Sequence, residues 1–295
     1  MQLQIYDSKG NKISCTNTIK GNTLTINPKS DLKKGMKYSI VIHSRSVKDL
    51  SGNKYLYKGA YTFTRIASAK TSKFLAYYMF SDPAKYLTTA QAKSLKDKGV
   101  KTVFVCVRDG SGNYYYSSLQ NAINKLHPQG IKVIAWVNCF HTNIGFVNPI
   151  TATTYKANLI SKIKYISSNY NCDGIQLDYC RFPGTAHYYS QGTSTITTFV
   201  KNFKTVVPKN KSLSIACFAE GSMTSYYYGQ NYTQLGKYVD YFCPMAYKGN
   251  YGKSSSWIKT VTNYIVENDN NKPVYTTLTT YYSDFNLRSL TATKM

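Results

Sequence analysis

The chain has 295 residues, with 37 Lys and Arg against 13 Asp and Glu for a formal charge of +24, seven cysteines and 29 tyrosines. This length allows about two domains, one of them a barrel of roughly 200 to 250 residues. No apolar run of about 18 residues occurs, and Met1 to Tyr6 leads straight into a strand-like pattern, so the stretch contains neither a membrane span nor a signal peptide.

The basic excess raises nucleic-acid binding as a class. The lysines are scattered over helices and loops (Lys93, Lys96, Lys98, Lys156, Lys162, Lys164, Lys201, Lys204), with no block and no nucleic-acid motif. They are read as a solvated basic surface, able also to hold the protein on an anionic cell-envelope polymer, and no nucleic-acid partner is expected. An odd cysteine count forbids full pairing, and Cys106, Cys217 and Cys243 sit in apolar strand patterns as small hydrophobes. Cys139, His141, Cys180 and His187 lack CxxC or HxxxH spacing, so neither a metal nor a cofactor is expected.

In chain order, residues 1–66 alternate apolar and polar in short runs. Gly21-Asn22, Asn27-Pro28, Lys34-Gly35 and Ser51-Gly52-Asn53 separate Thr23 to Ile26, Tyr38 to Ile42 and Tyr61 to Thr64, the pattern of a small all-β module. Through these residues and Asp31 to Tyr38, the segment resembles the bacterial immunoglobulin-like repeats of cell-envelope proteins. Such modules carry about seven strands, and fewer fit here.

A polar linker at 67–73 leads to residues 74–295, where apolar runs alternate with helices. The expected strands are Phe74 to Met79, Val100 to Val107, Ile131 to Val137, Gly174 to Asp178, Leu213 to Ala219, Val239 to Tyr247 and Pro273 to Thr280. Helices are expected near Thr89 to Lys98, Ser117 to Leu126, Tyr155 to Ser168, Thr195 to Val207 and Ser255 to Glu267. Gly99 and Gly130 supply the helix stop before a strand. Repeated strand–helix order predicts a parallel sheet with helical crossovers, and the expected fold is a (β/α)8 TIM barrel read as incomplete before strand eight, with another helix beginning near Leu290. An open doubly wound sheet is the alternative, which a reversal of strand order would reveal.

Strand alternation then selects the lumen-facing residues at the barrel's C-terminal face. Asp178, which ends strand four, and Glu220, after strand five, are the catalytic candidates. Adjacent strands lie about 4.8 Å apart, and glycoside cleavage commonly needs a carboxylate pair, about 5 to 5.5 Å apart for retention or about 6.5 to 9.5 Å for inversion. Tyr77, Arg108, Trp136, Asn138, Arg181 and Tyr247 are the substrate-binding candidates, and Asp240, at the opposite end, is structural. The tyrosine clusters 114–116, 188–189, 226–228 and 281–282 follow strand ends, where flat amphipathic rings can stack on sugars.

Through Gln129 to Val137, Asp173 to Pro183 and Asp240 to Tyr247, residues 73–295 resemble the glycosyl-hydrolase-like TIM barrels related to the chitinase and amylase superfamilies. The resemblance implies an extracellular or surface-associated glycoside hydrolase acting on a polysaccharide, with Asp178 as the catalytic candidate. Against the chitinase signature, Asp173, Gly174, Asp178 and Tyr179 match, whereas Gln176 replaces an acid and Cys180 replaces the catalytic glutamate, which excludes an acid at that position. A non-catalytic glycan-binding or adhesin-like protein on the same fold and a metal-dependent deacetylase are the competing classes.

Overall fold

The computed structural model describes residues 3–20, 23–30, 32–33, 36–45, 48, 51–54, 59–64 and 75–291. The chain forms two compact units, Met1–Ala69 and Lys70–Met295. The expected 67–73 linker and the Gly21-Asn22 and Lys34-Gly35 turns lie outside the described residues.

In the first unit, β1 (Leu3–Asp7), β2 (Lys12–Ile13), β5 (Lys37–Ile42) and β6 (Gly59–Thr64) form an antiparallel sheet in the order β2-β1-β5-β6. Between them in sequence, β3 (Cys15–Lys20) and β4 (Thr23–Pro28) pair as a separate hairpin. Leu3, Ile5 and Tyr38 are buried, and the Tyr38 ring stacks on Phe63 at 5.7 Å, so one face of the sheet carries the apolar residues. The Asp7 carboxylate closes the first turn, accepting from the Lys9 and Asn11 backbone N–H groups at 2.9 and 2.8 Å.

The second unit alternates strands and helices. It begins with β7 (Leu75–Met79), α1 (Ser81–Lys85), α2 (Thr89–Asp97), β8 (Val100–Arg108), α3 (Tyr116–Leu126) and β9 (Lys132–Asn138). A short hairpin of β10 (His141–Thr142) and β11 (Gly145–Phe146) precedes α4 (Thr153–Asn169), β12 (Gly174–Asp178), α5 (Gly192–Val206) and β13 (Ser212–Phe218). Then come α6 (Met223–Tyr228), α7 (Tyr232–Leu235), β14 (Tyr241–Met245), α8 (Ser255–Asn268) and a hairpin of β15 (Tyr281–Ser283) and β16 (Asn286–Ser289).

The start signals are local: Thr88 caps α2 in a reciprocal capping box with Gln91, and Gly130 takes a left-handed φ of 72° just before β9.

Six strands pair in parallel in the order β7-β8-β9-β12-β13-β14 with no reversal, which removes the doubly wound alternative and makes the sheet a curled parallel half-barrel. The seventh expected run lies parallel to β14 but joins it through only two isolated bridges, Phe242 to Val274 and Met245 to Thr277. The helix expected from Leu290 falls mostly on residues 292–295, which lie outside the described residues, and just before it the chain forms the β15–β16 hairpin.

Both faces of this sheet are covered, so its strands read as nearly continuous apolar runs. Val103, Val105, Val133, Ala135, Ile175, Leu177, Leu213, Ile215 and Phe242 face the helices in the main core, which includes Leu119, Ile163, Phe203 and Ile265. The alternate residues Tyr78, Phe104, Ile134, Trp136 and Cys243 form a second cluster on the concave side. There Gln176 donates to the Tyr78 hydroxyl at 3.2 Å and accepts from Ser214, which satisfies a fully buried amide. Gly174 is dictated by close approach, because a Cβ would lie 2.1 Å from Ser212 Oγ and 2.5 Å from its carbonyl oxygen.

Two aspartates clamp the N-terminal ends of the strands. Asp173 Oδ2 accepts from the Val133 backbone N–H at 2.7 Å and contacts His127 Nε2 at 2.9 Å. Asp240 repeats the device one strand pair along, accepting from the Leu213 N–H at 2.7 Å and from Lys204 Nζ at 2.8 Å. Asp240 is thus structural, as its position at the far end from Asp178 implies.

Asp240→Ala leaves the Leu213 N–H and Lys204 without their acceptor and is expected to cost about 1 to 3 kcal/mol, read as a lower urea midpoint at unchanged slope. Asp269, which follows α8, is buried with one carboxyl oxygen unpartnered among the described residues, and burial raises its carboxyl to about 6. In the unfolded chain the same group ionises near 3.9, so stability falls as pH rises from about 4 to about 6 and is level above that. Asp269→Asn is therefore expected to raise Tm at pH 7 and to lose that advantage near pH 4.

Candidate active site

The site is built where β12 ends. Asp178 continues the concave-side alternation of Gln176 and is 8% exposed. Its Oδ2 accepts from the Trp136 indole N–H at 2.9 Å and its Oδ1 from the Tyr179 backbone N–H at 2.7 Å. Burial raises the carboxyl's proton affinity, while these two donors, the Arg181 guanidinium and His141 pull it back.

Immediately beyond, Tyr179 adopts a left-handed φ of 48°, a conformation that costs a non-glycine residue energy and turns the chain sharply off the strand. Its ring lies 4.8 Å from His141 and 6.0 Å from Phe146, both on the β10–β11 hairpin. Arg181 is enclosed by four rings, with its guanidinium 4.5 Å from Phe218, 4.8 Å from Phe146, 5.0 Å from Tyr179 and 5.5 Å from Tyr228. One guanidinium nitrogen donates to the Phe182 carbonyl at 3.0 Å, and the buried Nε has no partner among the described residues.

Glu220 accepts from the Tyr228 hydroxyl at 3.0 Å, and its backbone N–H donates to Thr224 Oγ1. Burial and this carboxylate push the Tyr228 phenol up to about 12. Leu177 pairs with Ile215, so Asp178 is level with Ala216 and Glu220 lies four residues further along, on the order of 13 Å of extended chain. Glu220 consequently acts on Tyr228 and Tyr251, whereas Asp178 acts on Tyr179, Arg181 and Tyr247.

Trp136, Asn138, Arg181 and Tyr247 gather around Asp178. Asn138 is buried, with its side-chain oxygen accepting from the His141 N–H at 3.3 Å, which holds the start of the β10–β11 hairpin. Two candidates are used elsewhere. Tyr77 is 49% exposed on the opposite face of β7, and Tyr78 takes the concave side, because strand alternation admits only one of two consecutive tyrosines. Arg108 follows a register shift between β8 and β9, which turns it to the Asn138 carbonyl at 2.5 Å and the Tyr155 hydroxyl at 3.0 Å; it braces the strand ends.

Cys180, at the position where a chitinase carries its glutamate, is fully buried with its thiol against Cys139. His187 stacks on Tyr226. A further carboxylate that the sequence patterns did not single out, Asp284, stands at the tip of the β15–β16 hairpin. It accepts from Tyr281 Oη at 2.9 Å and Asn250 Nδ2 at 2.6 Å, and Tyr179 and Tyr247 feel both Asp178 and Asp284. Phe80, 66% exposed and 5.4 Å from Trp136, adds an aromatic to the rim.

Trp136→Phe removes one of the donors that favour the ionised Asp178, so the limb of the pH–activity profile governed by this group should move to higher pH. Glycan hydrolysis measured from pH 3 to 8 checks the shift.

Comparison with known proteins agrees with this architecture. The unit resembles the chitinase domain of the spore coat protein CotE from Clostridium difficile at 16% identity, covering 76% of this chain and 70% of that one with a TM-score of 0.53. It resembles a class V chitinase from Pseudomonas fluorescens Pf-5 at 18% identity, covering 70% and 68% with a TM-score of 0.52. The spore cortex-lytic enzyme SleL from Bacillus cereus gives 12% identity, 73% of this chain, 53% of that one and a TM-score of 0.54. At these identities the likeness is one of fold. No curated protein matches the chain. Residues 2–65 match the family described as "Bacterial Ig-like domain". Residues 141–294, more than half the chain, match the family described as "Putative glycosyl hydrolase domain", and the chain belongs to that family.

Proposed function

We propose that the second unit, built on an eightfold strand–helix barrel plan, hydrolyses a glycosidic bond in a cell-envelope or environmental polysaccharide outside the cell, with Asp178 as the essential carboxylate. The observation that carries this reading is a carboxylate buried at a strand's C-terminal end, kept readier to hold a proton than an ordinary aspartate and bordered by Trp136, Tyr179, Arg181 and Tyr247. Such a group can exchange a proton with a glycosidic oxygen or attack the anomeric carbon, and the flanking rings can stack on the sugar. Glu220 is its proposed partner, reached across Arg181 and Tyr228. Asp284 supports a second version of the pair, because Tyr179 and Tyr247 lie in the field of both Asp178 and Asp284.

The chitinases and spore cortex-lytic enzyme among the fold neighbours motivate chitin and isolated spore cortex as the first polymers to test. On a cleaved polymer, Asp178→Asn is expected to lower kcat at least ~100-fold with folding intact, in line with the loss of a catalytic group. Comparison of Glu220→Gln with Asp284→Asn assigns the partner: the true one lowers kcat by a similar factor, and the other changes KM alone. Full activity in Asp178→Asn would refute the assignment. Polymer binding without new reducing ends in any variant or in the unmodified protein would identify a glycan-binding protein of the adhesin type.

A further inference from the structure

The chain is rich in tyrosine, and most of its aromatic clusters are absorbed into the fold. Tyr114, Tyr116 and Tyr170 pack on the main core beside Tyr165, with Lys162 over the Tyr114 ring. One cluster differs. The loop after β12 carries His187, Tyr188 and Tyr189 on and beside a single 3-10 turn, Ala186–Tyr188, and α6 carries Met223, Tyr226 and Tyr227.

These two segments are docked firmly onto each other. Phe182 N–H donates to the Tyr228 carbonyl at 3.0 Å, the Thr193 and Ser225 hydroxyls meet at 3.2 Å, and a Cβ at Gly229 would lie 2.9 Å from the Gly192 carbonyl. The anchors Phe182, Ala186 and Thr224 are buried, and the rings above them stay in solvent: Tyr188 is 72% exposed, Tyr226 51%, and Tyr189 and Tyr227 37% each.

The exposed rings are nevertheless ordered by one another. His187 stacks on Tyr226 at 4.5 Å and 13°, lies 4.2 Å from Tyr188, and meets Tyr227 edge-on at 5.5 Å. The platform is also continuous with the candidate site, since Tyr227 lies 6.2 Å from Tyr228, which stacks on Phe218 at 4.1 Å, and Phe218 lies under Arg181. Ring follows ring from the mouth beside Asp178 outward.

Its charge selects the occupant. In a chain of 37 basic and 13 acidic residues, positions 183–200 and 221–236, which build the platform, contain no Lys, Arg, Asp or Glu. An anionic polymer or an acidic protein would find no cation there. A neutral polyhydroxylated chain would find flat apolar ring faces with hydroxyls at their edges.

We propose that the Tyr188–His187–Tyr226–Tyr227 platform binds an uncharged polysaccharide strand running outward from the candidate active site, so that the substrate is a polymer and not a mono- or disaccharide. This rests on the reading of Asp178 as the catalytic carboxylate for its link to turnover, though the binding itself does not require it. A short substrate ends near Arg181; only a chain of several sugars reaches Tyr188.

The test is retention of the full-length protein on insoluble chitin, cellulose and xylan and on immobilised heparin as the anionic control, at 0.5 M salt to suppress the effect of the +24 charge. The unmodified protein and Asp178→Asn should be retained on at least one neutral polymer and not on heparin. The double substitution Tyr188→Ala and Tyr226→Ala should weaken that retention about tenfold with an unchanged Tm, the effect of removing two stacking rings. Its affinity for a soluble trisaccharide of the same sugar should stay as it was.

Equal retention of the double variant, retention on heparin alone, or failure of the unmodified protein to bind any neutral polymer overturns the proposal. Should Asp178→Asn keep its hydrolytic activity, the catalytic assignment falls while the retention result still decides the platform.

Discussion

The second unit depends on one constraint: strands paired in parallel and in chain order must bury both faces of their sheet. Parallel pairing needs a crossover between neighbours, and helices supply it on the outer side, so Val, Ile and Leu face outward at every second position. The intervening residues have nowhere to go but the concave side, where Tyr78, Phe104, Trp136, Gln176 and Cys243 meet. Asp178 is the last residue of this inner series on β12, which is why a carboxylate ends up 8% exposed at the open end of a packed lumen.

Register then has chemical consequences. Asp173 and Asp240 fix it at the opposite end by holding neighbouring backbone N–H groups, and Gly174 lets β12 and β13 approach to a distance that no side chain would permit. With the strands fixed, the Asp178 carboxylate meets the Trp136 indole from the adjacent strand, and the left-handed turn at Tyr179 swings Arg181 into a box of rings. Burial and hydrogen bonding oppose each other at Asp178, and burial prevails, so its carboxyl holds a proton more readily than an ordinary aspartate.

Much of this was legible in the residues. Apolar runs, helix stops at Gly99 and Gly130 and the spacing between them located six strands and five principal helices, because those signals are local. Parity along the strands placed Trp136, Asn138, Asp178 and Tyr247 together for the same reason. Parity misassigned Tyr77 because two tyrosines stand side by side on β7 and nothing nearby in sequence tells which is inside. Arg108 was lost to a register shift between strands, and Asp284 to a hairpin whose residues carry little periodicity. Glu220 has the right alternation, but the offset from Asp178 comes from the pairing of two strands distant in sequence.

The sequence by itself determined the strand–helix alternation, the Ig-like pattern before it, and the absence of an acid at Cys180, since these follow from side-chain type and short-range spacing. Tertiary structure alone decided which carboxylates share a field, which arginine braces and which is caged, and which of many tyrosines stay in solvent as one uncharged surface. Those outcomes depend on strand register and on loops from different crossovers meeting in space, and neither is fixed by any residue's neighbours along the chain.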